Sequence, residues 1–263
     1  MKTILLQLLK DTKLDLTKAY LVPSGGSGDL NSKFDLTPKN FLRFAKQDLQ
    51  SEDDRGIINS LTNSKRAIDC QTDEALEKCG IKSNDFDPDI KKFVEHFDLA
   101  EEIPIKLKII HALNLAPSIL ISKTRTIRNK LEHFYQKPTI NEAKEALDVA
   151  DLFIRSVEGK FRMLINDFAL TDEKNFDNND NWSFINGLNF SFVSDKRNFS
   201  IQKIISKKSV ENIDIDCNYI EYYGLLRLMF SIDDDIDLEE TLKVLLKQLE
   251  HPMPTEKVSL IEI

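Results

Sequence analysis

The chain is poor in the residues that usually mark redox, metal or phosphate-loop chemistry. Three cysteines occur in 263 residues, Cys70, Cys79 and Cys217, with no CxxC pair and no Cys-His group at zinc spacing. A sequence-encoded zinc site is therefore excluded, and the sparse, odd count points to reduced thiols and a cytoplasmic home. Only eight glycines are present, three of them in Pro23-Ser24-Gly25-Gly26-Ser27-Gly28, and the GxxxxGK[ST] pattern is missing. That run reads as a flexible connector instead of a phosphate loop. No apolar stretch approaches the ~18 residues that a membrane span needs. The apolar start, Ile4 to Leu9, is interrupted by Gln7 and followed by Asp11 and Lys13, so a helix and not a secretory leader is expected there. A net charge of -8 argues against non-specific coating of nucleic acid, which runs on neutralised phosphates. It leaves room for a local basic cleft.

What is present is the composition of a globular protein, 41% hydrophobic and 30% charged, on a chain long enough for one large or two modest domains. Residues 2–20 predict an amphipathic helix, followed by a flexible loop over 22–36. Thr37-Pro38 predicts a helix start, because proline suits the first helical position. A longer helix follows Ser51-Glu52-Asp53-Asp54, with Ile57, Leu61, Ile68, Ala75 and Cys79 on one stripe and Gly80 placed to end it. Asp87-Pro88, Pro104 and Pro117 each predict another start. Thr139-Ile140-Asn141-Glu142 is a capping box, with a sustained apolar stripe from Ala143 to Leu164 behind it. Such stripes with short connections favour a helical bundle.

The pattern changes at residues 171–182, an Asn/Asp-rich run read as a linker. Beyond it the period shortens toward two: Phe184, Leu188, Phe190 and Phe192, then a turn-like SDKRN, then Phe199, Ile201 and Ile204. A hairpin is predicted there, a further strand over 210–215, and two helices over 219–230 and 238–249. The predicted class is α+β. An all-helical N-terminal domain covers residues 1–170, a linker 171–182, and a small α+β domain of unassigned role 183–263.

The stretch that carries chemistry is PSILISKTRTIRNKLEHFYQ, residues 117–136. It sets four basic residues, Lys123, Arg125, Arg128 and Lys130, within eight positions of an acidic chain. Arg128 and His133 lie five apart, about 140° and roughly 7.5 Å along a helix, so they flank a cleft from its two sides. Asn129 and His133, four apart, share a face. One helix does not close a compact site with these groups. Two such helices facing each other would, by offering two arginines and two histidines. The structural alternative is an exposed Arg128–Glu132 ion pair with His133 near a helix C-terminus.

RNKLEHFY, in the penultimate long helix of a helical bundle, resembles the RxxxxH motif of the HEPN superfamily, including the polar residue after the arginine. The earlier run NSKRAIDCQTD, residues 63–73, resembles a stretch of several bacterial HEPN proteins. The resemblance covers roughly residues 40–168. It implies a HEPN-like bundle acting as a metal-independent endoribonuclease without cofactor, a toxin or anti-phage defence effector. It also implies a homodimer through the Arg128–His133 helix, an RNA substrate and a regulatory protein partner. On that reading Arg128 neutralises the scissile phosphate, Asn129 orients it, and His133 is general base or acid. Guanidinium grips phosphate in two places, imidazole titrates near working pH, and RNA supplies its own 2′-hydroxyl nucleophile. Lys123, Arg125 and Lys130 would contact phosphates, Tyr135 would stack on a base, and Arg66 and Glu132 would stand behind the site. The competing expectation is a non-catalytic HEPN adaptor that dimerises and docks a partner. His96 and His111 have no partner pattern and are read as structural.

Overall fold

The computed structural model describes residues 3–26, 33–51, 53–82, 85–117, 119, 120, 122, 123, 126, 137–176, 183–232 and 238–261. Its helices in chain order are α1 (Ile4–Thr12), α2 (Pro38–Leu49), α3 (Asp54–Lys78), α4 (Pro88–Val94), α5 (Ile105–Ala112), α6 (Ile140–Arg162), α7 (Ile220–Ser231) and α8 (Leu238–Gln248). Its strands are β1 (Ala19–Gly25), β2 (Asp167–Asp172), β3 (Gly187–Val193), β4 (Asn198–Ile205) and β5 (Lys208–Ile215). The class is α+β, as the residue pattern predicts. The chain divides into two compact units, neither of them contiguous: Leu30–Phe86 with Phe97–Arg162, and Met1–Asp29 with Asp87–His96 and Met163–Ile263.

In the first unit every described element is a helix, and α3 packs against α2, α5 and α6. The ends of these helices follow from local chemistry. Asp53 accepts the Gly56 N–H at 2.7 Å and so caps α3. Gly80, at φ +70°, turns the chain out of it, and Ile81 N–H reaches back to Leu76 O at 2.8 Å. Asn114, at φ 60°, does the same for α5, with Leu115 N–H on Ile110 O at 3.0 Å. The capping box of α6 is present: Thr139 N–H donates to Glu142 Oε2 at 2.8 Å, and Glu142 N–H to Thr139 Oγ1 at 3.3 Å. Small buried residues on both partners, Ala67 and Ala75 on α3 and Ala143, Ala146 and Ala150 on α6, allow the two helices to approach closely.

The second unit is built on an antiparallel sheet in the order β1-β2-β3-β4-β5. Its register puts Phe168, Phe190, Phe192, Phe199 and Ile201 on one face and Asn189, Ser191, Ser200 and Gln202 on the other, the alternation of a sheet covered on one side. The apolar face packs its rings together, with Phe168 and Phe190 stacked at 4.9 Å between centroids and Tyr222 of α7 meeting Phe199 at 5.8 Å. Most of α7 is buried, including Glu221, whose Oε1 accepts the Ile4 N–H at 3.0 Å and so fixes the start of α1. On the opposite face a smaller cluster gathers Val22, Ala169 and Phe184. Both edges carry protection against further pairing. β1 holds Pro23 and an extra residue, Ser24, while Lys203 and Ile204 of β4 pair with Glu211 and Ser209 of β5, leaving Val210 of β5 as a bulge.

Several expectations change. The predicted N-terminal helix stops at Thr12, where Lys13 adopts φ 53°, and the chain then makes a 3-10 turn and β1. Residues 23–25, read as part of a flexible loop, are strand paired with β2. The expected domain over 1–170 does not coincide with one unit, since residues 19–25 form the edge strand of the sheet built from residues 167–215. The expected linker begins inside β2. Asp172 is 2% exposed and accepts the backbone N–H of Asp15 at 2.7 Å and of Asn175 at 2.9 Å, so residues 171–176 close one end of the sheet. Residues 177–182 lie outside the described residues. The hairpin, the third predicted strand and the last two helices form close to where the pattern puts them.

Candidate functional site

The NSKRAIDCQTD run occupies the middle of α3. Spacings of three, four and seven align Arg66, Asp69, Cys70 and Asp73 on one face, and all four line a cleft of about 580 Å³ with Phe34, Leu36 and Phe41 opposite them. Asp69 pairs with Lys65 at 3.3 Å and Asp73 with Lys106 at 2.7 Å. Arg66 is exposed. Among the described residues it makes no ion pair, and its one hydrogen bond is a long 3.4 Å contact from Nη1 to Asn63 Oδ1. The neighbouring carboxylates are instead paired with lysines, Asp69 with Lys65 and Asp73 with Lys106. Cys70 donates to Leu36 O at 3.4 Å. Burial, reinforced by Glu74, Asp73 and Asp69, pushes its thiol up to about 11, so it is a protonated, unreactive group at neutral pH.

The other side of α3 is buried and unusually polar. Ser64 and Thr72 return their hydroxyls to Ser60 O and Ile68 O at 2.8 and 2.9 Å. Gln71 is 1% exposed, and among the described residues neither polar atom of its amide has a hydrogen-bond partner. Near the end of the helix Glu74 and Lys78 form a pair at 2.7 Å, with side chains only 10% and 13% exposed, and the Lys78 ammonium sits 5.2 Å from the centre of the Phe161 ring.

The basic signature helix is described only near its start. Ile119, Leu120, Ser122, Lys123 and Thr126 are helical, and Ser122 and Thr126 bond back to Ile119 O and Ser122 O at 2.9 and 3.2 Å. Lys123 pairs with Glu145 of α6 at 2.5 Å, both about half exposed. Ser156 of α6 bonds Leu115 O at 3.2 Å. Leu115 beside Ser156 and Lys123 beside Glu145 mean that this stretch runs antiparallel to α6. Arg125, Arg128, Asn129, Lys130, Glu132, His133 and Tyr135 lie outside the described residues.

The remaining described histidines have structural surroundings. His111 Nδ1 lies 3.5 Å from Ala116 O, and its ring meets Phe97 edge-on at 6.2 Å. His96 and His251 of the sheet unit are both half-buried, which lowers their pKa values, with Lys247 and Lys10 acting in the same direction. Among the described residues no group of three or more His, Cys, Asp or Glu is arranged to hold a metal, and no helix is long and apolar enough to cross a membrane. Sequence reasoning singled out Arg66 but missed the cleft around it, because Phe34, Leu36 and Phe41 read as loop and helix-start residues. No family model, curated protein or solved structure matches this chain.

Proposed function

We propose that the protein is a HEPN-type endoribonuclease, with Arg128, Asn129 and His133 as its reacting set. The observation that carries the reading is the sequence RNKLEHFY itself: arginine, an adjacent amide, and a histidine five positions on, in a locally basic stretch of an acidic chain. The helical character of the described elements α3, α5 and α6 is compatible with it. The reaction needs no protein nucleophile. One His133 takes the proton from the ribose 2′-hydroxyl as that oxygen attacks phosphorus. A second His133, from a dimer partner, protonates the departing 5′-oxygen. Arg128 balances the charge that builds on the phosphoryl oxygens. The products are a 2′,3′-cyclic phosphate and a 5′-hydroxyl end. A toxin or defence effector held by a regulatory partner is the setting that suits such an activity.

The net charge of -8 favours a second reading, a dimeric HEPN adaptor whose sheet unit docks a protein, because an acidic surface repels RNA outside the signature. One experiment separates the two. Purified protein is incubated with total RNA and tRNA in EDTA, beside His133→Ala and Arg128→Ala, and product ends are tested for cyclic phosphate. Cleavage lost in both variants is the nuclease result. No cleavage, together with cellular toxicity equal to that of His133→Ala, sinks the nuclease and leaves the adaptor.

A further inference from the structure

The cleft on the Arg66 face of α3 is built from two walls. One is the α3 stripe; the other is the segment that enters α2. That segment is tied to α3 at two points, Lys33 to Glu77 at 3.3 Å and Cys70 to Leu36 O at 3.4 Å, and its turn into α2 is fixed locally by the Thr37 N–H and hydroxyl, which both donate to Asn40 Oδ1 at 2.9 Å. These contacts hold Phe34, Leu36 and Phe41 against the groove, leaving Leu36 49% exposed toward water. An exposed leucine between two phenylalanines is an apolar floor wide enough for a branched side chain.

The charges of the cleft are unequal. Asp69 pairs with Lys65 and Asp73 with Lys106, whereas among the described residues Arg66 makes no ion pair, so its guanidinium is the cleft's cation left to meet a ligand. A ligand that fits carries one negative charge next to an apolar body. The guanidinium is a planar fork suited to a carboxylate. Asp69 adds a further requirement. Its side chain is 56% exposed and its contact with Lys65, at 3.3 Å, is looser than a short charge-assisted hydrogen bond, so its oxygens are open to an N–H donor.

We propose that this cleft binds the carboxyl terminus of a partner polypeptide ending in a branched apolar residue. The terminal carboxylate sits on Arg66, the last side chain lies on Phe34, Leu36 and Phe41, and the last backbone N–H donates to Asp69. A free fatty acid satisfies the first two contacts and offers nothing to Asp69, which is why a peptide is the better occupant. The cleft is open to solvent, which leaves the rest of a chain a way out. This inference is independent of the ribonuclease reading.

The test uses the full-length protein and a fluorescein-labelled hexapeptide ending in leucine with a free carboxylate, followed by polarisation. Its carboxamide twin, octanoate and adenosine monophosphate serve as competitors. The expected result is saturable binding below about 1 mM, weakened at least about tenfold in the carboxamide and in Arg66→Gln, the cost of one charge-assisted hydrogen bond. Leu36→Ser weakens binding severalfold. Both residues are exposed, and circular dichroism of each variant confirms that α3 is intact. No saturable peptide binding, equal affinity for the carboxamide, or unchanged binding in Arg66→Gln overturns the proposal. So does octanoate or the nucleotide binding where the peptide does not.

Discussion

Lys78→Met is the perturbation whose size the structure fixes best. Methionine keeps most of the stem volume and removes the charge. Three contributions are lost together. The Lys78–Glu74 pair is nearly buried, with side chains 13% and 10% exposed, so removing the ammonium strands a carboxylate away from water. Breaking a buried pair by deleting one partner costs about 3–5 kcal/mol, and the residual exposure puts this case near the lower end. The contact with Phe161 adds about 0.5–1 kcal/mol. Lys78 also lies in the last turn of α3, where a cation offsets the helix dipole. A loss of about 3–4 kcal/mol is expected. The double variant Lys78→Met/Glu74→Leu removes both charges and returns to within about 1 kcal/mol of the parent, because an apolar pair replaces an ionic one at little net cost. Urea titration followed by far-ultraviolet circular dichroism reads the helical unit, and the slope should stay constant across the set. If Lys78→Met loses less than about 1 kcal/mol, or the double variant is weaker than the single one, the pair is not a desolvated one and the reasoning fails.

Gln71→Met should raise stability by about 1–2 kcal/mol, since it removes an amide that is 1% exposed and unbonded; a loss in thermal melting would mean that the amide has polar company. Gly224→Ala should cost about 1–3 kcal/mol by chemical denaturation, because a Cβ there would stand 2.5 Å from Gln248 Oε1 and 2.6 Å from Leu245 Cδ1; an unchanged midpoint would show that α7 and α8 have room to part. The depressed pKa values of His96 and His251 set a direction with pH. Both are favoured neutral in the folded protein, so the unfolded chain binds protons first as pH falls below the ordinary value of 6.5. Their contribution is complete above that value and is lost as pH drops through the folded pKa values. His96→Gln/His251→Gln should flatten the stability profile between about pH 7.5 and 5.5; an equally steep profile would assign the loss to other groups.

The helical elements were legible because their start and stop signals are chemically explicit. Thr139 with Glu142, Asp87 before Pro88, and Gly80 at φ +70° each sit where the sequence puts a helix end. The hairpin was legible because Leu188, Phe190 and Phe192 alternate with Asn189 and Ser191 on a sheet with one apolar face. β1 was hidden by Pro23 and Gly25, which read as turn residues and are tolerated because that strand is an edge. β2 was hidden for another reason. Phe168 serves the main core and Ala169 the smaller cluster on the opposite face, so the strand is buried on both sides and shows no alternation. The candidate site is legible only in part. The Arg66 stripe follows from helical spacing, whereas its facing wall depends on how residues 33–41 fold back on α3, which no local pattern encodes.

The pairing of β1 with β2 has a consequence for how the two units are built. A sheet that takes its edge strand from residues 19–25 and its core strands from residues 167–215 forms only when distant parts of the chain meet, so its formation carries a large loop-closure cost. The helical unit has no such requirement between α2 and α3, which are neighbours in sequence and pack directly. Local contacts favour early formation of that helix pair, with the sheet completed once residues beyond 163 are available. A fragment starting at residue 183 lacks α1, α4, β1 and β2, and it exposes Leu188 and Phe190 of β3 along a raw edge. Such a fragment is expected to aggregate, which size-exclusion chromatography beside the full chain checks; a folded monomer would refute the argument. The same argument gives the buried Glu221 side chain a structural role. By accepting the Ile4 N–H it ties the first helix of the chain to the helix that underlies the last strands, which is the closure that the discontinuous unit needs.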